Sequence, residues 1–133
     1  MKVLALDYGA ARTGVAVSDA TGTIARPLGV VERAATPAGL ERIREIVRDE
    51  GAQRIVVGLP LTLRGEHGRQ AAETEEFVRA LREAVSAPVE TFDERFTTAL
   101  AVEGGGVAPE DARAAAHLLA GYLARLGAGA ESS

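Results

Sequence analysis

Residues 3–18 read VLALDYGAARTGVAVS, and the fold follows from this stretch. The continuous apolar run at 3–6 is typical of a strand buried on both faces, and a short connection leads to a second strand at 14–18. A third strand is predicted at 23–31, where Pro27 favours the edge of a sheet because proline donates no backbone hydrogen bond. Links this short predict an antiparallel meander of three strands.

Downstream of the meander the apolar pattern predicts helices that alternate with buried strands. Strand–helix–strand crossovers demand parallel neighbours, so the last two strands extend the first one into a mixed α/β sheet of five strands flanked by helices. The predicted elements are a helix from a Thr36 cap and Pro37 to a Gly51 stop, a strand at 54–58, a helix at 69–85, a strand at 88–92, a short helix after Thr97 that is broken by the glycines at 104–106, and a final helix at 109–126.

The composition is that of an ordinary globular chain of 133 residues, 47% hydrophobic and 26% charged. This length predicts one domain over residues 1–126 with a flexible tail at 127–133. The absence of cysteine excludes disulfides and thiolate sites, and a net charge of −4 gives no global attraction to nucleic acid. No apolar run reaches the ~18 residues of a membrane span. Because only four apolar residues separate Lys2 from the charge of Asp7, no signal peptide is predicted, and we expect a cytoplasmic protein with no membrane partner.

Acidic residues fall where three predicted elements begin or end. Asp7 ends the first strand, Asp93 and Glu94 end the fifth, and Asp111 lies in the first turn of the last helix. Ligands of such sheets bind beyond the carboxyl ends of the parallel strands. We therefore expect Asp7 and the Asp93–Glu94 pair to open on one edge, which the start of the last helix can reach.

Converging carboxylates repel one another and raise one another's pKa, so such a cluster is costly unless it holds a cation. Oxygen ligands without cysteine favour Mg²⁺ or Mn²⁺ over Zn²⁺. Two such ions about 4 Å apart would clamp a phosphodiester and activate water for in-line attack. The acidic positions together therefore predict nuclease chemistry.

Taken singly, each of these positions also has a purely structural explanation. Asp7 before Gly9 can shape a turn, and Asp111 in a first helical turn complements the helix dipole. The charged run at 93–95 can be a solvated turn, and His117 is interpreted as a helix-surface or packing residue. Only the joint placement of the acids favours a functional site.

The chain resembles the YqgF/RuvX family of pre-16S rRNA-processing nucleases and Holliday-junction-resolvase homologues. The matching segments follow the family order from about residue 3 to 123, and the second and third are the more specific. They are DYGAARTGVA at 7–16, VGLPL at 57–61 running into Gly65 and Gly68, DERFTT at 93–98, and Asp111 followed by Ala114, Ala115, Leu119, Tyr122 and Leu123.

The resemblance implies an RNase H-like fold with strand order 3-2-1-4-5 and the second strand antiparallel, which agrees with the meander. It implies a catalytic site of Asp7, Glu94 and Asp111 that binds Mg²⁺ or Mn²⁺, with a two-ion site expected. Glu94 is favoured over Asp93, but a shift of one residue at the strand end exchanges the two side chains. Cleavage by such a site would leave a 5′-phosphate and a 3′-hydroxyl.

The implied substrates are four-way junction DNA, the 5′ end of precursor 16S rRNA, or both, and the sequence does not decide between DNA and RNA. Basic side chains near the same edge are expected to bind phosphates, which positions a substrate without reading its sequence. These residues are Arg12, Arg64, His67, Arg69 and Arg95. A homodimer is also expected, because a four-way junction is roughly two-fold symmetric and two-fold dimers are common.

Two departures and two alternatives accompany this interpretation. The fourth strand ends in Leu59-Pro60, where resolvases outside the family carry an acid, and the stretch between Thr98 and Asp111 is short and lacks the family's basic run. One alternative is a non-catalytic nucleic-acid or ribosome-assembly module. The other is an actin-like nucleotide-binding protein. Asp7-Tyr8-Gly9 with Gly14 resembles the first phosphate loop of such proteins, but their two lobes do not fit in 133 residues.

Overall fold

The computed structural model of the chain describes residues 1–61, 64–96 and 109–132. The strands are β1 (Val3–Asp7), β2 (Arg12–Ser18), β3 (Ala25–Glu32), β4 (Arg54–Leu59) and β5 (Val89–Asp93). The helices are α1 (Pro37–Glu50), α2 (Arg69–Ala84) and α3 (Glu110–Ser132), and a short 3₁₀ turn at Glu94–Phe96 follows β5.

The five strands form one mixed sheet in the order β3-β2-β1-β4-β5, as predicted. The β3-β2-β1 meander is antiparallel, whereas β1, β4 and β5 run parallel to one another. Asp7 and Asp93 therefore end their strands at the same edge of the sheet. The crossovers through α1 and α2 impose this arrangement, because a helical connection returns the chain to start the next strand in the same direction.

The sheet is buried on both faces, which is why β1 reads as an unbroken apolar run. Leu4 and Leu6 belong to a core with α1 and α2, whereas Val3 and Ala5 belong to a second core with α3. The α3 face is lined by small side chains, among them Ala16 and several alanines of α3, so this helix lies close to the sheet. Close packing of α3 brings its first turn to the backbone of β2.

The ends of α1 are those that the sequence predicts. The Thr36 side chain accepts a hydrogen bond from the Gly39 amide at 3.1 Å, and Gly51 ends the helix with a φ of 67°. A side-chain cap of this kind contributes about 1 kcal/mol of helix stability, and a left-handed residue at the end favours glycine.

The end of α3 differs from the prediction. The helix continues to Ser132, six residues beyond the end expected at Leu126, so residues 127–132 of the expected tail are helical. Extending a helix that is already anchored by a buried segment fixes only one residue for each added hydrogen bond, and this offsets the tendency of the glycines here to stop it. The helix expected after Thr97 and the glycines at 104–106 lie outside the described residues. Among the described helices, none has the length and apolar character needed to cross a membrane.

Candidate active site

Asp7 stands between two glycines across the sheet. It is paired with Gly14 of β2, and the pairing of Leu6 with Val57 puts Gly58 of β4 on its other side. Side chains alternate along a strand, so all three of these positions face α3, as Ala5, Ala16 and Val56 do. Because Gly14 and Gly58 have no side chains, there is room on both sides of the Asp7 carboxylate on the α3 face of the sheet.

Gly14 makes room for the first turn of α3. A Cβ atom at this position would lie 1.8 Å from the carbonyl oxygen of Asp111 and 3.1 Å from the amide nitrogen of Ala112. Only a residue without a side chain permits this approach. The contact sets Asp111 opposite Asp7, since Gly14 and Asp7 are cross-strand partners.

Gly58 makes room for Glu94 on the other side of Asp7. A Cβ atom there would lie 2.7 Å from Glu94 Oε1 and 3.0 Å from Leu118 Cδ2. The Glu94 side chain, which begins in the 3₁₀ turn beyond β5, therefore lies across the backbone of β4 toward Asp7. A hydrogen bond between the two carboxyl groups acts to lower the pKa of Asp7 and to raise that of Glu94.

Burial and proximity raise the pKa of both members of this carboxyl pair. Desolvation, the hydrogen bond to Asp7 and the neighbouring charges of Asp7 and Asp93 raise the pKa of Glu94 to about 7. Desolvation also raises the pKa of Asp7, with a further contribution from the charge of Asp111, and the hydrogen bond with Glu94 opposes it. Both shifts follow from placing acids together in a partly buried site, and a cation could take the place of a proton.

Asp93 points elsewhere. Its carboxylate accepts hydrogen bonds from the backbone amide of Arg95 at 2.9 Å and from Arg95 Nε at 2.9 Å, which lowers its pKa. This local pairing occupies Asp93, whereas the next residue, Glu94, turns toward Asp7. Of the two adjacent acids, Glu94 is the one whose side chain lies beside Asp7, and its role as a metal ligand stays a prediction.

Asp111 is close enough to Asp7 to affect its pKa, but its carboxylate is paired with Arg12. Arg12 Nε and Nη2 both donate to Asp111 Oδ2, at 3.0 and 2.6 Å. Within the described part of the chain, no three acidic or histidine side chains lie close enough together to hold a metal ion. The structure thus joins Asp7 and Glu94 directly and leaves Asp111 beside them with a different partner.

A cleft of about 180 Å³ opens at this edge of the sheet. Its lining includes Asp7, Glu94, Tyr8 and Glu73, and the Tyr8 ring stacks on buried Phe77 with centroids 4.4 Å apart. The stacking fixes the connection that follows β1. Glu73 of α2 also lines the cleft, but the sequence pattern did not single it out. It is one of several acids on this helix, and only its position around the helix axis places it at the cleft.

A second recess of about 280 Å³ adjoins the same two acids and includes His117. The sequence assigned His117 to packing or to the helix surface, and it lies one helical turn beyond Ala114, another residue of this recess. Its Nδ1 is buried and has no hydrogen-bond partner among the described residues. Its spacing of three residues from Ala114 and six from Asp111 was the one signal that the sequence offered.

The predicted phosphate-binding residues are all exposed, and most are paired with the chain's own acids. Arg12 contacts Asp111 and Arg95 contacts Asp93. His67 Nε2 lies 2.9 Å from a Glu75 oxygen and Arg69 Nε lies 3.4 Å from one of Glu73, while Arg64 is in the loop between β4 and α2. None of these five residues is among those that line the cleft, and their binding of phosphates, which would have to compete with weak surface ion pairs, stays a prediction.

Comparison with known proteins identifies the family of the chain. The profile of the RuvX family, described as Holliday junction resolvase, matches residues 1–125. A protein of Chloroflexus aggregans is 46% identical over 99 residues, covering 74% of this chain and 70% of its own length, and one of Moorella thermoacetica is 39% identical, covering 96% and 97%. Both are named, provisionally, as pre-16S rRNA nucleases. Two Chloroflexus aurantiacus proteins with the same provisional name are matched over 65% of their length.

Among solved structures, Thermus thermophilus RuvC in complex with a Holliday junction substrate superposes with a TM-score of 0.61. The two chains are 22% identical, and the match covers 96% of each. At this identity the likeness establishes the RNase H-like fold. Together with the family profile and the relatives, it leads to one conclusion: the chain belongs to the RuvX (YqgF) family of Holliday junction resolvases and pre-16S rRNA nucleases.

Proposed function

We propose that this protein is a divalent-metal-dependent endonuclease that hydrolyses phosphodiester bonds in structured nucleic acid. The observation that carries the proposal is the convergence of the Asp7 and Glu94 carboxyl groups in one cleft at the carboxyl edge of the sheet. Two acids brought together in a cleft at this cost in desolvation are typical of a functional site. Membership of a nuclease family supports the same reaction class.

The donor set fits Mg²⁺ or Mn²⁺. Asp7 and Glu94 offer carboxylate oxygens, and Asp111 lies next to them, so these three residues would hold the metal, with two ions as the proposed number. When bound, the ions would activate water and neutralise charge on the phosphate that is attacked. As long as Arg12 holds Asp111, the three carboxylates do not form one ligand set.

The chain's basic residues would position the substrate. Arg12, Arg64, His67, Arg69 and Arg95 would contact phosphates, which orients a strand over the cleft without sequence preference. The proposed substrates are four-way junction DNA and precursor 16S rRNA, cut to leave a 5′-phosphate and a 3′-hydroxyl. The proposed place of action is the cytoplasm.

The test is cleavage of a mobile four-way junction and of a precursor 16S rRNA fragment with Mg²⁺ or Mn²⁺. Asp7→Asn should reduce the rate at least about 100-fold, the upper end of the loss seen when only an outer partner of a metal ligand is removed. Asp49→Asn is the matched control, because Asp49 is an exposed acid in the last turn of α1. This variant should cleave like the wild type. Equal rates for Asp7→Asn and wild type on both substrates would contradict the proposal.

A second candidate is a nucleic-acid-binding module without catalysis. The observation that favours it is that the described residues hold no ready-made set of three metal ligands. Junction binding without cleavage at any Mg²⁺ or Mn²⁺ concentration would select this alternative. Calorimetry with ATP tests the less favoured alternative, a nucleotide-binding protein. That alternative requires the protein to bind ATP with micromolar affinity.

We also propose that the protein acts as a homodimer on junctions, because paired incisions need two sites. Light scattering with and without junction DNA measures the mass of the complex. Two copies bound to each junction are expected, and a strict monomer on the junction would contradict this.

A further inference from the structure

Arg12 and Asp111 form an ion pair across 99 positions of sequence, at the point where α3 begins beside β2. Both guanidinium nitrogens donate to the same oxygen, Asp111 Oδ2, at 3.0 and 2.6 Å. That oxygen is therefore occupied by a cation that belongs to the protein. The ion pair balances part of the Asp111 charge, which still raises the pKa of the neighbouring Asp7.

The pair can be exchanged for other partners. The Arg12 side chain is 62% exposed and that of Asp111 is 33% exposed. Exposed ion pairs contribute little net stability, because water and salt screen the charges. A guanidinium binds phosphate through the same fork of donors with which it binds carboxylate. A substrate phosphate could therefore replace Asp111 as the partner of Arg12.

The backbone of Asp111 does not have the same freedom. Its carbonyl oxygen lies against Gly14, with the start of α3 packed onto β2. Release from Arg12 would free the Asp111 side chain without moving the helix. The freed carboxylate would remain beside Asp7, whose pKa already responds to its charge.

We propose that Arg12 is a positioning residue that couples phosphate binding to completion of the carboxylate site. In the free protein it holds Asp111 away from cation binding. When a substrate phosphate takes over the guanidinium, Asp111 joins Asp7 and Glu94 as a third cation ligand. The inference rests on the proposed function, and it explains why three acids of the site do not form a ligand set in the absence of nucleic acid.

The test is a titration of the full chain with Mn²⁺ in the absence of nucleic acid. The electron paramagnetic resonance signal of free Mn²⁺ measures how much of the ion is bound. Arg12→Gln should bind Mn²⁺ up to about fivefold more tightly than the wild type, the upper limit for one exposed ion pair. Arg44→Gln is the matched control, since Arg44 is 63% exposed, pairs with Glu41 and lies on α1 away from the cleft. It should leave Mn²⁺ affinity unchanged.

Three further variants assign the gain to Asp111. The reference for the double variant is Asp111→Asn alone, in which no carboxylate is left to release: Arg12→Gln/Asp111→Asn should bind Mn²⁺ no more tightly than Asp111→Asn. Arg12→Lys, which keeps the charge but not the fork, should fall between wild type and Arg12→Gln. A gain of the double variant over Asp111→Asn, or a gain that Arg44→Gln reproduces, would show a general effect of charge and overturn the inference. Circular dichroism of each variant verifies that the fold is retained.

Asp7→Asn separates failure of this inference from failure of the proposed metal site. If Asp7→Asn abolishes Mn²⁺ binding but Arg12→Gln binds like the wild type, the inference on Arg12 is wrong and the metal site stands. If Asp7→Asn binds Mn²⁺ as the wild type does, the proposed metal site is wrong and the inference falls with it.

The coupling can also be measured from the side of the nucleic acid. By thermodynamic reciprocity, a cation that is favoured by phosphate binding must favour phosphate binding to the same degree. Fluorescence anisotropy should show that Ca²⁺ tightens binding of a four-way junction to the wild type more than to Arg12→Gln. An equal effect of Ca²⁺ on both proteins would overturn the inference.

Discussion

At the residue scale, the raised pKa of Glu94 links the site to pH. A carboxyl group whose pKa is raised on folding binds more protons in the folded than in the unfolded protein over the interval between its two pKa values. For Glu94 this interval runs from 4.5 to about 7. The stability contributed by the bound proton is fully present below the interval and is lost as pH rises through it.

We therefore expect the metal-free protein to lose stability at this site between pH 4.5 and about 7. Glu94→Gln should remove this part of the pH dependence, because its amide does not titrate. Thermal unfolding in EDTA across this range measures the effect, and Glu41→Gln, an exposed acid on α1, is the control. A Glu94→Gln profile parallel to that of the wild type would contradict the raised pKa.

Gly58 tests the position of Glu94 without changing any acid. Gly58→Ala puts a methyl group 2.7 Å from Glu94 Oε1 and 3.0 Å from Leu118 Cδ2, and because both contacts are side-chain atoms, these side chains should move and the fold should remain. We expect Mn²⁺ affinity and cleavage to fall by about 10- to 100-fold, as for loss of an outer partner of a ligand. Gly29→Ala in β3 is the control, since a Cβ there has no neighbour within 4 Å. Unchanged cleavage by Gly58→Ala would separate Glu94 from the reaction.

At the element scale, the packing of α3 on β2 determines where Asp111 lies. The contact at Gly14 is between backbones, so neither side can yield by rotating a side chain. The alanines along α3 extend the close approach over the length of the helix. The position of one candidate ligand therefore depends on the size of a residue in another element.

Gly14→Ala should accordingly destabilise the fold as well as the site. The added methyl group would overlap the Asp111 carbonyl at 1.8 Å, and the cost should reach at least the ~1–3 kcal/mol of ordinary overpacking. Urea unfolding measures the change, again with Gly29→Ala for comparison. Wild-type stability in Gly14→Ala would mean that α3 docks on the sheet in another way.

The 3₁₀ turn after β5 determines which of two adjacent acids, Asp93 or Glu94, faces Asp7. A shift of one residue at the end of a strand exchanges the side chains that point to the two faces of the sheet. The sequence therefore left Asp93 and Glu94 as alternatives, with Glu94 favoured. Pairing of Asp93 with Arg95 and the space above Gly58 select Glu94, and neither contact is visible in a pattern of apolar residues.

At the scale of the whole molecule, charge is balanced mostly within the protein. The chain has 15 basic and 19 acidic residues, and four of the five basic residues proposed to bind phosphate are paired with acids. Each must exchange its partner to bind a phosphate. Binding should therefore depend on local exchange of partners rather than on a long-range field.

Junction binding should consequently have a limited salt dependence. With five phosphate contacts at about −0.9 each, the slope of log K against log salt concentration should be no steeper than about −4.5. Arg64→Gln should reduce the slope by about 0.9, and Arg44→Gln should leave it unchanged. Anisotropy titrations over a salt series measure both slopes. A much steeper slope would indicate a basic surface that the five residues do not include.

The sequence by itself determined the sheet order, the mixed strand directions and the edge at which Asp7 and Glu94 meet. These features depend on apolar periodicity, helix caps and connection lengths, which are local to each segment. Only the tertiary structure decided that Gly14 and Gly58 flank Asp7, that His117 and Glu73 line the site, and that Arg12 holds Asp111. Such contacts join residues as much as 99 positions apart, and they follow from which backbones approach closely enough to touch.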